Sequence, residues 1–156
     1  MKHLSILILL LISTHSFSQK QAYDDGEFLK FRVHYGLITA GIATLEVKSK
    51  LIDTKEVFHV IGFGETTGIA SWFFHVEDHY ESYISKEKDL PLRFIRKIDE
   101  GGYTKDIQID FNHSSQNATI IDFKNDTEKI VSFPREVQDM VSSFYYLRNN
   151  LNAKDI

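Results

Sequence analysis

The side chains best suited to hold a metal ion are His75 and His79, which flank Glu77 and Asp78. On a helix, two histidines four residues apart share one face and could bind one zinc ion. The stretch from Glu77 onward instead alternates as a strand does, and four residues of strand span about 13 Å. Because zinc ligands lie only about 2 Å from the ion, we expect no metal site here.

Adjacent carboxylates at Glu77–Asp78 and at Asp99–Glu100 could be considered as a general acid and base. Neighbouring residues of a strand point to opposite faces, so neither pair converges on one substrate. The sequence has no nucleophile elbow, phosphate-binding loop or zinc-protease motif. It also has no cysteine, which excludes a cysteine nucleophile and a thiolate zinc site. We therefore expect no catalytic residue and no cofactor.

A binding role is favoured by the density of aromatic side chains. Trp72, Phe73 and Tyr80 lie close together in the sequence, and Phe94 lies in a later predicted strand. Most such side chains are expected to fill a core. A curved antiparallel sheet can, however, also enclose one apolar ligand, so these four residues are candidate ligand contacts.

Arg96 is the fifth candidate ligand contact, because it lies on the same predicted strand face as Phe94. A hairpin centred on residues 86–91 would place it opposite Glu81, and we favour this cross-strand ion pair. Alternatively, Arg96 could hold an anionic head group at the mouth of an apolar cavity.

Strands are predicted over most of the chain between Glu27 and Phe133, because apolar residues recur at every second position. The clearest strand covers residues 29–35, and a turn region over 36–41 joins it to a second strand. Further strands are predicted over 55–64, 77–85, 92–100, 103–111, 118–124 and 128–133, with turns at Gly101–Gly102 and Asn125–Asp126.

Two segments have a different period. Residues 67–76 break the alternation and predict a short helix or turn. A C-terminal amphipathic helix of about four turns is predicted by apolar residues at helical spacing, with Tyr145, Tyr146 and Arg148 beside the apolar row. The row consists of Val137, Met140, Val141, Phe144, Leu147 and Leu151. We expect a mainly β fold, a curved antiparallel sheet that is open-barrel or sandwich-like and is crossed by this helix.

Residues 1–18 have the pattern of a signal peptide, with Lys2 ahead of an apolar run from Leu4 to Ile12. This run is shorter than the ~20 apolar residues of a membrane-spanning helix. The small residues Ser16 and Ser18 are typical of a cleavage site, which we expect directly after Ser18.

The cleaved chain is expected to have a loose lead-in over 19–26 and a single domain over 27–156, without a membrane span. No cysteine is available for lipidation, so we expect a periplasmic or secreted protein rather than a lipoprotein. The formal net charge is −4 for the whole chain and becomes −5 when Lys2 is removed. This negative charge argues against non-specific binding of nucleic acid.

Four segments of the chain resemble blocks of DUF3108, a family of exported bacterial proteins of unknown function. They are GEFLKFRVHYGLITAGIATLEV (26–47), FFHVEDHYESYI (73–84), FIRKIDEGGY (94–103) and VQDMVSSFYYLRN (137–149), in the same order as in the family. The resemblance implies an envelope protein made mostly of antiparallel strands, and it brings no catalytic residues. Members of the family continue for roughly another hundred residues of strands after the helix, so we expect a truncated or short variant.

Two functions are consistent with these observations. The first is a non-enzymatic module that binds a hydrophobic or amphipathic envelope molecule, a lipid-like ligand among them. The second is a structural or assembly factor that docks on another envelope protein through a strand edge or the helix. An enzyme is the third choice.

Overall fold

The computed structural model describes residues 21–151. The predicted signal peptide over residues 1–18 lies outside the described residues. Eight strands form one antiparallel sheet in which each strand pairs with its neighbours in the sequence. They are β1 (Phe28–Tyr35), β2 (Ile38–Ile52), β3 (Lys55–Thr66), β4 (Val76–Ser85), β5 (Pro91–Glu100), β6 (Tyr103–Asn112), β7 (Asn117–Asp122) and β8 (Thr127–Ser132).

Two helices complete the described part of the chain. Helix α1 (Ile69–Phe73) connects β3 to β4, and helix α2 (Met140–Asn150) follows β8. The strands β1 and β8 form opposite edges of the sheet, which does not close. The mainly β antiparallel fold, the short helix near 67–76 and the C-terminal helix are thereby confirmed.

The β1–β2 connection is tighter than the sequence predicted. It consists of Gly36 and Leu37, so the predicted turn region over 36–41 is mostly strand. A register shift between Val33 and His34 accommodates the short turn, as a bulge does when one strand carries an extra residue. Gly36 has a positive φ of 60°, which glycine adopts without steric penalty.

One face of the sheet, which we call the helix face, packs against α2. Its strand residues in the buried core include Val47, Phe58 and Ile84, and Tyr145 of α2 lies against them with no exposed surface. The core is therefore shared between the central strands and one side of the helix.

The expected loose lead-in contributes to this core within its described residues. Tyr23 is 3% exposed, and its ring lies 4.5 Å from that of Tyr145 between centroids. The backbone of Gly26 donates a hydrogen bond to the carbonyl oxygen of Val47 at 2.9 Å. The segment thus packs under α2 instead of standing free.

The face of α2 that packs on the sheet differs from the predicted one. The predicted row is mostly exposed, with Met140 at 58%, Phe144 at 37% and Leu147 at 50%. Val141 is the one buried member of the row, and Tyr145, which was predicted to lie beside it, is buried too. The helix is rotated because its N-terminus is attached to the sheet through the N-cap residue Asp139. Burial of the Asp139 carboxylate brings the adjacent Val141 side to the sheet.

Candidate functional site

The five candidate ligand contacts lie in two places. Tyr80, Phe94 and Arg96 come together on the helix face, because Tyr80 of β4 pairs directly with Arg96 of β5. The rings of Tyr80 and Phe94 are stacked with centroids 6.3 Å apart. Trp72 and Phe73 lie apart from this group on α1, where both side chains are more than four-fifths exposed.

Within the first group, the three side chains differ in access to solvent. Phe94 is only 7% exposed and belongs to the core, so it supports the group from below. Tyr80 and Arg96 are half-buried. They are the members that a ligand on this face could contact.

The predicted cross-strand pair of Glu81 with Arg96 is wrong. A register shift between Tyr83 and Ile84 places Ile95 opposite Glu81 and Tyr80 opposite Arg96. Because a slip of one residue moves a side chain to the other face, Glu81 points away from the helix face. The nearest carboxylate partner of Arg96 is Glu100, with 3.9 Å between Nη2 and Oε1.

Polar atoms around Arg96 have unused hydrogen-bonding capacity. Tyr80 donates its hydroxyl proton to Oδ2 of Asp78 across 3.3 Å. Arg96 Nε and Asp78 Oδ1 are buried and have no hydrogen-bond partner among the described residues. Burial raises the pKa of Asp78, and the nearby charge of Glu100 raises it further. Because a buried unpaired polar atom is costly, these atoms are suited to bind a polar group from outside the chain.

One glycine, Gly64, leaves the neighbouring floor of the helix face bare, whereas Gly62 is buried against the Leu45 side chain. Gly62 and Gly64 of β3 lie opposite Tyr80 and Asp78 of β4. A Cβ atom built on Gly64 would find no neighbour closer than the Cβ atom of Asp78 at 4.0 Å. The structure thus shows free space above Gly64. We call this area the open surface. It comprises Leu45, Gly64, Asp78, Tyr80 and Arg96.

On the other face of the sheet, a polar cluster surrounds Glu81, and sequence reasoning missed it. Glu81 accepts hydrogen bonds from Nε2 of His79 and from the hydroxyl of Tyr83, both at 3.0 Å, and from Nε2 of His59. The ring of His59 stacks on that of Tyr83 at 4.2 Å between centroids. The available signal was the two-residue spacing of His79, Glu81 and Tyr83, which places all three on one strand face.

These contacts shift the pKa values of the cluster. Burial raises the pKa of Glu81, but the hydrogen bonds from His79, His59 and Tyr83 outweigh it and lower the pKa to about 2. Burial lowers the pKa of His59, against the opposing effect of its hydrogen bond to Glu81. At neutral pH the His59 ring is therefore neutral and donates a hydrogen bond to the ionised carboxylate of Glu81. The carboxylate is satisfied by its partners, so the cluster stabilises the sheet.

His75 and His79 do not share a site. Each has its own glutamate neighbour, with His75 Nε2 lying 3.9 Å from Glu77 and His79 Nε2 lying 3.0 Å from Glu81. Both histidines flank the start of a strand, as the alternation predicted. Within residues 21–151, no group of three or more histidine, cysteine or acidic side chains is arranged to hold a metal ion.

A separate surface depression of about 470 Å³ lies at the end of the sheet that carries the β4–β5 and β6–β7 connections. Its lining mixes apolar and charged side chains and contains none of the candidate ligand contacts. The lining includes Lys55, Glu87, Lys88, Leu90, Leu92, Phe111 and His113.

The fold and surface together define a class of protein, an open antiparallel meander with one helix on one face and an amphipathic surface beside the helix. Among the described residues, neither helix has the length and apolar character needed to cross a membrane. The sequence matches DUF3108, described as a protein of unknown function, over residues 30–155. The chain therefore belongs to the DUF3108 family. A search of the curated proteins and a search of the solved structures each found no match.

Proposed function

We propose that the protein is a non-enzymatic binding module that holds a hydrophobic or amphipathic molecule of the bacterial envelope on the open surface. The observation that carries this proposal is the buried, unpaired donor atom Arg96 Nε beside the bare floor at Gly64. Export by the signal peptide over residues 1–18, with release into the periplasm or beyond, is part of the same proposal.

The chemistry of the open surface favours an amphipathic ligand with an anionic head. An alkyl chain can lie along Leu45 and Gly64, where contact removes apolar area from water. A carboxylate or phosphate can take hydrogen bonds from the guanidinium of Arg96, whose fork geometry suits both groups. The ion pair of Arg96 with Glu100 is long enough, at 3.9 Å, to be replaced.

The test compares a dansyl-labelled fatty acid with a dansyl-labelled alkylamine in fluorescence titrations of the full chain. We expect the fatty acid to bind and Arg96→Gln to weaken it about tenfold, since a hydrogen bond to a charged group contributes about 1.5–3 kcal/mol. Arg93→Gln is the matched control, because Arg93 lies on the same strand and pairs with Asp110 on the other face.

A second variant tests whether the ligand needs the free space above Gly64. Gly64→Leu fills the floor, and no positive φ at this position opposes the substitution. Glu65→Leu adds the same side chain one residue along, on the other face of β3. We expect only Gly64→Leu to abolish fatty-acid binding while both variants retain the native circular dichroism spectrum. Failure of the unmodified chain to bind either probe would overturn the proposal.

An alternative is an assembly factor that docks on another envelope protein through α2. It is supported by the outer row of the helix, where Met140, Phe144, Leu147 and Leu151 are 37–58% exposed. Crosslinking from Leu147 in cells, with no fatty-acid binding by the purified chain, would favour this alternative over the binding module.

A further inference from the structure

Exposed apolar side chains are concentrated at one end of the sheet. Because the strands are antiparallel and follow chain order, the β1–β2, β3–β4, β5–β6 and β7–β8 connections lie at the same end. Each connection, or the strand residue directly after it, carries at least one large apolar or aromatic side chain that is more than half exposed. We call this set the apolar end. It comprises Leu37, Ile38, Ile69, Trp72, Phe73, Phe74, Tyr103 and Phe123.

The connections at the opposite end have a different composition. The β2–β3 turn consists of Asp53 and Thr54, and the β4–β5 and β6–β7 connections consist mainly of charged and polar residues over 86–90 and 113–116. Beside these connections Leu51, near the end of β2, is the large apolar side chain of the described residues with more than half of its surface exposed, so the eight residues of the apolar end are a concentration on one side.

Three side chains of the apolar end are almost uncovered by the rest of the protein. Leu37 is fully exposed, and Trp72 and Phe73 are 85% and 84% exposed. A protein interface usually offers a packed apolar centre in which side chains support one another. Separate apolar side chains can each enter a lipid layer, in which no complementary pocket is needed, and tryptophan is favoured at the boundary between lipid and water. The geometry therefore favours lipid over protein as the occupant.

Helix α1 is held so that its aromatic side chains stay outside. The hydroxyl of Thr66 donates to the carbonyl oxygen of Phe74 and accepts from the backbone amide of Val76, both at 3.0 Å. The backbone of Gly101 donates to the carbonyl oxygen of His75 at 2.7 Å. The ring of Phe74 lies so close to Gly101 that a Cβ atom there would be 2.5 Å from Cε2. These contacts attach both ends of the α1 connection to the sheet.

Two lysines stand beside the aromatic residues of the apolar end. Lys105 lies over the ring of Tyr103, 5.6 Å from its centroid, and Lys124 donates to the hydroxyl of Thr104 at 2.6 Å. Neither ammonium group forms an ion pair with another residue of the described chain. Long lysine side chains can reach lipid phosphates at the depth of the head groups.

We propose that the apolar end docks on the surface of a lipid bilayer, with Leu37, Trp72 and Phe73 entering the layer and Lys105 and Lys124 at the phosphates. This docking site is separate from the open surface and does not rest on the proposed ligand. It requires no membrane-spanning segment, because short apolar projections bind at the interface.

Trp72 is the only tryptophan of the chain, so its fluorescence reports directly on this end. The full chain is mixed with vesicles of phosphatidylethanolamine and phosphatidylglycerol, and binding is measured by flotation. We expect a blue shift of the emission and quenching by lipids brominated on their acyl chains. The full chain that carries both Leu37→Ser and Phe73→Ser should bind vesicles at least about tenfold more weakly, because two exposed apolar contacts are lost.

Leu51→Ser is the matched control, because Leu51 is 70% exposed near the opposite end of the sheet. It should bind vesicles as the unmodified chain does. All versions carry the same N-terminal residues, so any binding by the apolar run from Leu4 to Ile12 contributes equally.

Three outcomes would overturn the proposal. The first is an unshifted Trp72 emission in the presence of vesicles. The second is an equal loss of affinity in the control and in the double variant. The third is a concentration-dependent dimer in light scattering that the double variant abolishes, without any quenching by brominated lipid, which would assign the apolar end to a second copy of the chain.

Discussion

Ser82 of β4 donates a buried hydrogen bond of 2.7 Å to Oδ2 of Asp139, the residue that caps α2. Oδ1 of the same carboxylate accepts from the backbone amides of Val141 and Ser142, both at 2.8 Å. One side chain thus both starts the helix and attaches it to the sheet, and burial raises the pKa of Asp139 despite these hydrogen bonds.

Asp139→Ala should lower the free energy of unfolding by about 2–4 kcal/mol, because it removes the cap and leaves the Ser82 hydroxyl buried without a partner. Ser82→Ala should cost about 1 kcal/mol. Asp139→Asn keeps an acceptor for the helix amides, so its free energy of unfolding should be close to that of the unmodified protein. Urea unfolding followed by circular dichroism measures all three. Equal losses for Asp139→Ala and Ser82→Ala would contradict this account of the contact.

The side of α2 that faces the sheet can be tested with two adjacent aromatic residues. Tyr145→Ala should cost about 3–5 kcal/mol, as for other buried aromatic side chains, because Tyr145 has no exposed surface. Phe144→Ala should cost less than about 1 kcal/mol. The hydroxyl of Tyr145 has no partner among the described residues, so Tyr145→Phe should be nearly neutral. A larger loss of unfolding free energy in Phe144→Ala than in Tyr145→Ala would instead support the packing face predicted from the sequence.

The stability of the sheet should fall as the pH falls, and His59 and Glu81 act in the same direction. The pKa of His59 is lowered from 6.5 in the folded protein, so below about pH 6.5 the unfolded chain takes up a proton that the folded chain excludes. The pKa of Glu81 is lowered from 4.5 to about 2. Its contribution is therefore complete above pH 4.5 and is lost as the pH falls toward 2.

Urea midpoints are measured at about pH 7.5 and about pH 5.5, where Glu81 stays ionised, and the comparison with His59→Gln isolates the effect of His59. His59→Gln keeps a donor for Glu81 and should flatten the difference between the two midpoints. His34→Gln, at an exposed position of β1, should leave it unchanged. The same pH dependence in the unmodified chain and in His59→Gln would rule out this role for His59.

The strands and their order could be predicted because they rest on local patterns. Alternation places Leu29, Phe31 and Val33 on one side of β1 without any knowledge of the partner strand. Gly101 and Gly102 have positive φ values of 62° and 91°, which fit the tight turn that their sequence predicted. The family followed from blocks of residues in a fixed order.

Register and contacts between distant residues could not be predicted in the same way. The register shift after Tyr83 has no signature in the alternation of β4, yet it sets the β4–β5 register in which Arg96 lies opposite Tyr80. The contact of Glu81 with His59 depends in turn on the register between β3 and β4. Of the candidate ligand contacts, Tyr80, Phe94 and Arg96 lie on one face of the sheet. The sequence did not show that Trp72 and Phe73 lie apart from these three residues. Residues on α1 and β4 that are close in the sequence need not be close in space.

The sequence by itself determined the antiparallel strands, the two helices and the absence of cysteine chemistry, because backbone geometry imposes periods of two and 3.6 residues on any buried face. Only the tertiary structure decided which side of α2 is buried and what surrounds Glu81 and Arg96. These outcomes depend on pairs such as Ser82 with Asp139 and Tyr23 with Tyr145, whose members are far apart in the chain and meet only when the sheet has formed.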